Sequence, residues 1–287
     1  MNLPTCVCPL EPDLLAQLHG RHIVVRVPEA AQIPAAALAV ANSGNTLHHV
    51  LVDAQPPFDR LPLKAQWFTA PAILVTPEIG PFRKLAAAVP VLREAAVAVW
   101  LACRPENLIS IRLLSSLGIA SGVLFDDQTP PWESLIDLMT YCLLGPTPHA
   151  PIEPFASIAR HYATGESQPS PVFDWNRVYF DDPAEFLHLD RTGRVALSRR
   201  DLLNGQFAGQ NLDDPNLPAA IEARRYAWQQ LFVDNRPCSR CPGWRICQGK
   251  FVNETAAPPA GCSEFIAEMM DVIETRRTVG PARRGTP

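Results

Sequence analysis

Residues 96–126 read AVAVWLACRPENLISIRLLSSLGIASGVLFD, and this stretch decides the fold class. The run from Ala96 to Ala102 has the length and apolar, β-branched character of a buried strand. From Glu106 to Leu117 the apolar residues Leu108, Ile111, Leu114 and Leu117 recur at helical spacing, and Gly118 then stops the helix. A second strand, GVLFD from Gly122, follows at once. Strand, helix and strand in this order form a crossover unit, which requires a parallel sheet covered by helices.

Working outward, the same texture recurs. HIVVRV from His22, HHVLVDA from His48 and AILVT from Ala72 are further strands, and PFRKLAAAVPVLREA from Pro81 is a further helix. The predicted class is therefore α/β. Later helices are expected over Trp132–Leu144 and around Phe155–Tyr162, separated by a proline-rich connection. The texture changes at Asn176. Phe186 and His188 alternate before the turn Asp190, Arg191, Thr192, Gly193, and Val195 and Leu197 alternate after it, which predicts a hairpin. A helix from about Pro218 to Phe232 follows, with Ile221, Trp228, Leu231 and Phe232 facing inward. We divide the chain into an α/β body at 1–175, a small module at 176–278 and a disordered tail at 279–287, whose GPARRGTP cannot support a core.

Bulk properties exclude several functions. A formal net charge of -4 gives no basic field for nucleic acid and no polybasic signal for a membrane. MNLPTCVCPLEPDLL has no leader pattern, and no later segment is long and apolar enough to span a bilayer, so a cytoplasmic location is expected. Thirty prolines, about double the usual share, fall mostly between the apolar runs. In a reducing compartment eight cysteines do not suggest a disulfide framework, and their clustering matters more than their number. No GxSxG, phosphate-binding loop or HExxH is present.

The clustering lies in CSRCPGWRIC. Cys238, Cys241 and Cys247 fall on one short loop, and Cys262 returns after PPAG, a set able to enclose one metal centre. Gly243, Gly249 and Gly261 permit close backbone bends, while Pro237, Trp244 and Phe251 can wall the centre from water. Ser263 can cap a helix from Glu264 to about Thr275 that buries Phe265, Met269, Val272 and Ile273. Four thiolates suit either an iron–sulfur cluster or structural zinc, and composition does not separate the two.

These motifs resemble the C-terminal SPASM domain of radical S-adenosylmethionine enzymes, many of which modify peptides. The specific resemblance covers about residues 176 to 275, with a weaker likeness through the α/β body. It implies a partial TIM-like barrel followed by a hairpin-and-helix iron–sulfur domain. It also implies that Cys238, Cys241, Cys247 and Cys262 hold one 4Fe-4S cluster, with zinc as the alternative reading of the residues. The family's other auxiliary cluster draws on two further cysteines, and those positions are Ser198 and Phe251 here, so the resemblance implies that this cluster is lost. The family's CxxxCxxC should follow the first barrel strand, yet HIVVRVPEAAQIPAAAL contains no cysteine. S-adenosylmethionine binding and radical initiation are accordingly not expected of this chain.

Other residues are weighed more lightly. Cys6 and Cys8 precede HIVVRV and read as ordinary N-terminal thiols ahead of a metal or redox role, and Cys103 and Cys142 read as core packing. His48 and His49 adjoin a strand, where neighbours face opposite ways, so they are not expected to share a site. Glu78 in TPEIGPF is a minor candidate for a ligand-binding turn, and Asp126 and Asp127 for a ligand contact at a strand end. The leading expectation is a catalytically degenerate member of that family, carrying one cluster. It would act as partner or electron-relay subunit in peptide (RiPP-type) or cofactor maturation, beside an active radical S-adenosylmethionine maturase or a precursor peptide. The alternatives are a zinc-bearing module that recognises a peptide or protein partner, and an enzyme with an unidentified site at the barrel end.

Overall fold

The computed structural model describes residues 3–54, 62–80, 82–125, 129–163, 175–227, 229–241, 243–247, 251 and 259–279. The positions Asp126, Asp127, Trp228, Gly249 and the tail from Gly280 lie outside these residues. Among the described residues nine strands form mostly parallel sheet with helices packed on it, so the fold is α/β as the crossover unit predicts. The strands are β1 (Thr5–Pro9), β2 (His22–Val27), β3 (Thr46–Asp53), β4 (Ala72–Thr76), β5 (Ala98–Ala102), β6 (Ser121–Leu124), β7 (Ile152–Glu153), β8 (Phe186–Leu189) and β9 (Val195–Ala196).

Two compact units make up the chain, each from two separate stretches. The first comprises Met1–Trp100 with Tyr179–Ala227, and the second Leu101–Val178 with Trp228–Pro287. In the first, the strand order runs β5-β4-β3-β2-β1-β8-β9. β1 pairs in parallel with both β2 and β8, through Val7 opposite Val24 and Val7 opposite His188. The predicted hairpin is present: β8 and β9 are antiparallel, with Leu189 opposite Val195. Gly193 supplies the left-handed residue its turn needs, at φ 85°. His188 is buried and its Nε2 lies 2.9 Å from the Phe180 carbonyl and 3.0 Å from Asp181 Oδ1.

Two expectations about this unit are corrected. TCVCP is itself a strand in the middle of the sheet, so Cys6 and Cys8 do not precede the first strand. Both are fully buried. Burial pushes the Cys6 thiol up to about 11 and the Cys8 thiol up to about 12. Only five residues long and carrying a proline and two cysteines, this strand gives a weak periodic signal. The second correction concerns His48 and His49. The β2–β3 register slips between Ile23 and Val24, so that Ile23 faces Leu47 but Val24 faces His49. His48 is the extra residue of a bulge, and the two imidazoles meet with Nδ1 atoms 2.7 Å apart.

The second unit contains the deciding crossover almost as predicted: the end of β5, the helix Pro105–Ser116 and β6, with Gly118 at φ 81° after the helix. Leu108, Ile111 and Leu114 are buried. The helices Trp132–Leu144 and Phe155–Ala163 match expectation, and between them lies β7, which the proline-rich sequence conceals. Cys103 and Cys142 are buried in this core, and burial takes the Cys142 thiol up to about 12. The long helix expected over 218–232 is corrected. It is broken into Leu217–Tyr226 and Gln229–Val233, of which only Leu217 is buried, and Phe232 is exposed. With Glu222, Arg224 and Arg225 crowded into one turn, the first of these helices has no continuous apolar stripe.

Candidate metal centre

The four cysteines come from two short helical turns and the start of one long helix of the second unit. Cys238 lies in the 3-10 helix Pro237–Arg240, whose C-cap is Cys241, and the Cys241 amide donates to the Cys238 carbonyl at 3.1 Å. The Cys241 carbonyl in turn accepts from the Trp244 amide at 3.1 Å, which starts the helix Trp244–Cys247. Cys238 to Cys241 and Cys241 to Trp244 are therefore each closed by a backbone hydrogen bond, and the helix from Trp244 ends on Cys247.

Cys262 is the first residue of the helix Cys262–Val279. Ser263 does not cap this helix, as the sequence suggests it should; its hydroxyl donates to Glu264 Oε2 at 3.0 Å, and the chain enters through Gly261 at φ 88°. Two glycines set the docking of this helix. A Cβ on Gly243 would collide with the Ile266 side chain, so only glycine lets the helix lie against the loop. Ile266 stands four residues after Cys262, on the same helical face, so the contact that seats Ile266 also turns Cys262 toward the loop. A Cβ on Gly261 would collide with the Trp132 indole, whose Nε1 donates to the Ala260 carbonyl at 2.6 Å. Phe265, Ile266, Met269 and Val272 are buried on the inner face of this helix, and Ile273 is half-buried.

The thiols converge. Cys238, Cys247 and Cys262 are buried, Cys241 is half-buried, and all four are free of disulfides. Burial, followed by the proximity of Cys247 and Cys241, pushes Cys238 up to about 11. Cys262 is raised further, first by a hydrogen bond with Cys247, then by burial, then by the nearness of Cys247, Cys238 and Cys241. Each added negative charge would repel the others in this setting, so without a bound cation Cys238 and Cys262 stay protonated at neutral pH. A multivalent cation or cluster reverses that balance by taking thiolates, and a group of four neighbouring sulfurs suits it chemically. Among the described residues no three His, Cys, Asp or Glu side chains close tightly around the position of a single ion.

The chain matches no family model, no curated protein and no solved structure.

The two positions at which the resemblance expects further ligands carry other duties. Ser198 is the N-cap of the helix Arg199–Leu203, its hydroxyl accepting from the Asp201 amide at 3.1 Å. Phe251 sits in an aromatic cluster, with ring centroids 5.1 Å from Phe125, 5.3 Å from Trp132 and 5.5 Å from Trp175. Trp244 packs edge-on against Phe232 at 5.0 Å. Glu78 is exposed, and its carbonyl accepts from the Thr76 hydroxyl at 3.2 Å. What the sequence does not reveal is the seating of the fourth cysteine by Gly243 and Ile266. The i, i+4 relation of Cys262 and Ile266 is its only trace. No helix among the described residues is long and apolar enough to cross a membrane.

Proposed function

We propose that Cys238, Cys241, Cys247 and Cys262 hold one 4Fe-4S cluster, and that the chain is a partner or electron-relay subunit in peptide (RiPP-type) or cofactor maturation. It is a radical S-adenosylmethionine/SPASM-like protein that no longer starts the radical chemistry. The observation that carries this reading is the gathering of four reduced thiols, from two short turns and the start of a long helix, into mutual electrostatic range. Groups that would repel one another on ionising become mutually compatible as thiolates when they share a metal.

Two further features support the family reading. The mostly parallel α/β sheet is compatible with a partial TIM-like barrel. Ser198 and Phe251 have hydrogen-bonding and packing roles in place of ligation. The segments after β1 and after β2 depart from the family pattern, since neither contains the cysteines of an initiating cluster, and radical initiation is not part of the proposal.

When bound, a cluster ligated by four cysteines transfers single electrons and offers no open position to a substrate. The chain's own residues then have defined tasks. The four sulfurs hold the cluster, Gly243 and Gly261 allow the close approach that sets the fourth sulfur, and Ile266 and the Trp132 indole exclude water from one side.

Anaerobic purification followed by iron, sulfide and zinc determination tests the assignment. About four irons and four sulfides per chain are expected, with a brown chromophore lost in Cys241→Ser while β1–β5 stay folded. One zinc without sulfide overturns the cluster. Full activity of the maturation system with the Cys241→Ser subunit overturns the relay role.

A further inference from the structure

We infer that His48 and His49 form a second, independent metal site in the first unit, a two-imidazole chelate for a divalent transition metal such as Zn2+ or Ni2+. The inference does not depend on the cysteine centre, which lies in the other unit.

The bulge is the first observation. In a regular strand adjacent side chains point to opposite faces, and His48 and His49 could not meet. Inserting His48 as an unpaired residue between the Ile23–Leu47 and Val24–His49 pairs turns both rings to one side. Bulges of this kind re-aim side chains and are frequent beside functional sites.

The geometry of the rings is the second. The two Nδ1 atoms face each other at 2.7 Å, with ring centroids 4.6 Å apart. Two nitrogens bound at 2.0–2.1 Å to one ion stand roughly 2.9 Å apart at a right angle and about 3.3 Å apart at the tetrahedral angle. An opening of a few tenths of an ångström therefore converts the pair into a chelate, well within rotation of two exposed or half-buried rings. Phe180 is the shared wall. Its ring centroid lies 5.8 Å from each imidazole, and Phe186 closes the side of His48 at 6.3 Å.

The protonation state is the third, in support. Burial and then the neighbouring His48 hold His49 down to about 4, and burial and then His22 hold His48 below the usual imidazole range. Both rings are thus neutral at pH 7, which is the metal-binding form. In the metal-free pair one Nδ1–H donates to the other Nδ1. On chelation that ring moves its proton to Nε2, which has no hydrogen-bond partner among the described residues, so both Nδ1 lone pairs are presented to the ion with no net proton release. Imidazole donors suit zinc, nickel and copper. No third His, Cys, Asp or Glu joins the pair among the described residues, so water or an incoming ligand completes the coordination.

The test is a zinc titration of the full-length protein, with its cysteine centre already loaded, followed by two-dimensional 1H–15N spectra of the histidine side chains. One added equivalent should shift the Nδ1 signals of His48 and His49 selectively and place the proton of both rings on Nε2. Equilibrium dialysis should find one zinc fewer in His49→Gln and in His48→Gln, at unchanged content of the cysteine centre. If the imidazole signals stay still up to millimolar zinc, or if both variants retain the additional ion, the pair is a hydrogen-bonded pair only. The spectra of the wild-type protein decide the matter even if a variant fails to fold.

Discussion

Gly261→Ala separates the two duties of the residue before the fourth cysteine. Its φ of 88° costs an L-residue about 1–2 kcal/mol. The new methyl must also displace the Trp132 indole. That displacement removes the 2.6 Å bond to the Ala260 carbonyl, worth about 1 kcal/mol. It also disturbs the ring contacts of Trp132 with Phe251 and Phe265, both at 5.3 Å, for roughly another 1 kcal/mol. The stiffer unfolded chain returns about 0.4–1 kcal/mol. The net expectation is a loss of about 2–3.5 kcal/mol, summed from those contributions. Gly205→Ala is the internal control. It has a comparable φ of 68° but nothing within 4 Å of its added Cβ, so it carries the backbone cost alone, about 1 kcal/mol or less. Urea unfolding followed by tryptophan fluorescence measures both, with iron and sulfide content measured in parallel. Equal destabilisation of the two variants, or full cluster content in Gly261→Ala, refutes the proposition that the Trp132 contact positions Cys262.

Phe265→Ala, which empties a fully buried aromatic position on the helix bearing Cys262, should cost about 3–5 kcal/mol by urea denaturation and lower cluster content. Asp53→Asn removes the partner of Arg199, at 2.7 Å with both side chains about a quarter exposed, and should cost about 1–3 kcal/mol by the same assay. Stability should also fall in alkali. Cys6, Cys8 and Cys142 ionise at about 11, 12 and 12 when folded, against about 8.5 for a free thiol, so their contribution is intact below about 8.5 and is lost as pH rises toward 12. Urea midpoints at pH 8 and pH 10.5 measure the loss, which should shrink in Cys6→Ala/Cys8→Ala. His49 acts in the opposite range: with its folded value near 4 its contribution is present above about 6.5 and fades as pH drops toward 4, visible as an acid-side fall in thermal midpoint.

The legible parts of the fold are those whose sequence signal is local and repeated. Residues 96–126 announce a crossover because two apolar runs bracket a helical period with a glycine stop, and the hairpin at Asp190–Gly193 is announced by its turn chemistry. β1 escapes such reading because its proline and two cysteines interrupt the apolar, β-branched run, and β7 because two residues have no pattern to detect, so the identity of each comes from neighbours contributed by distant segments. The same limit explains His48 and His49. Alternation predicts opposite faces, whereas a bulge depends on the register against β2, which no single strand encodes. At the metal centre, spacing identifies the loop cysteines because they are neighbours in sequence. The seating of Cys262 depends on Gly243 accepting Ile266, a contact between residues far apart in the chain.

The eight cysteines make a final physical argument about what distinguishes a site from a core. Cys6, Cys8 and Cys142 have raised pKa values for which burial is the leading cause, with at most one other thiol, Cys6 beside Cys8, adding to it. An apolar residue of similar volume could replace each at little cost, because a neutral thiol in a core behaves as a small hydrophobe. Cys238 and Cys262 differ, since two other thiols raise Cys238 and three raise Cys262, and for Cys262 the hydrogen bond with Cys247 is the leading cause. Replacing one of these four removes a partner from the other three. Substitutions to alanine at Cys6 or Cys142 should therefore add in their effects on stability, whereas any two substitutions within the group of four should cost no more cluster than the first alone, a contrast that double-mutant cycles read directly.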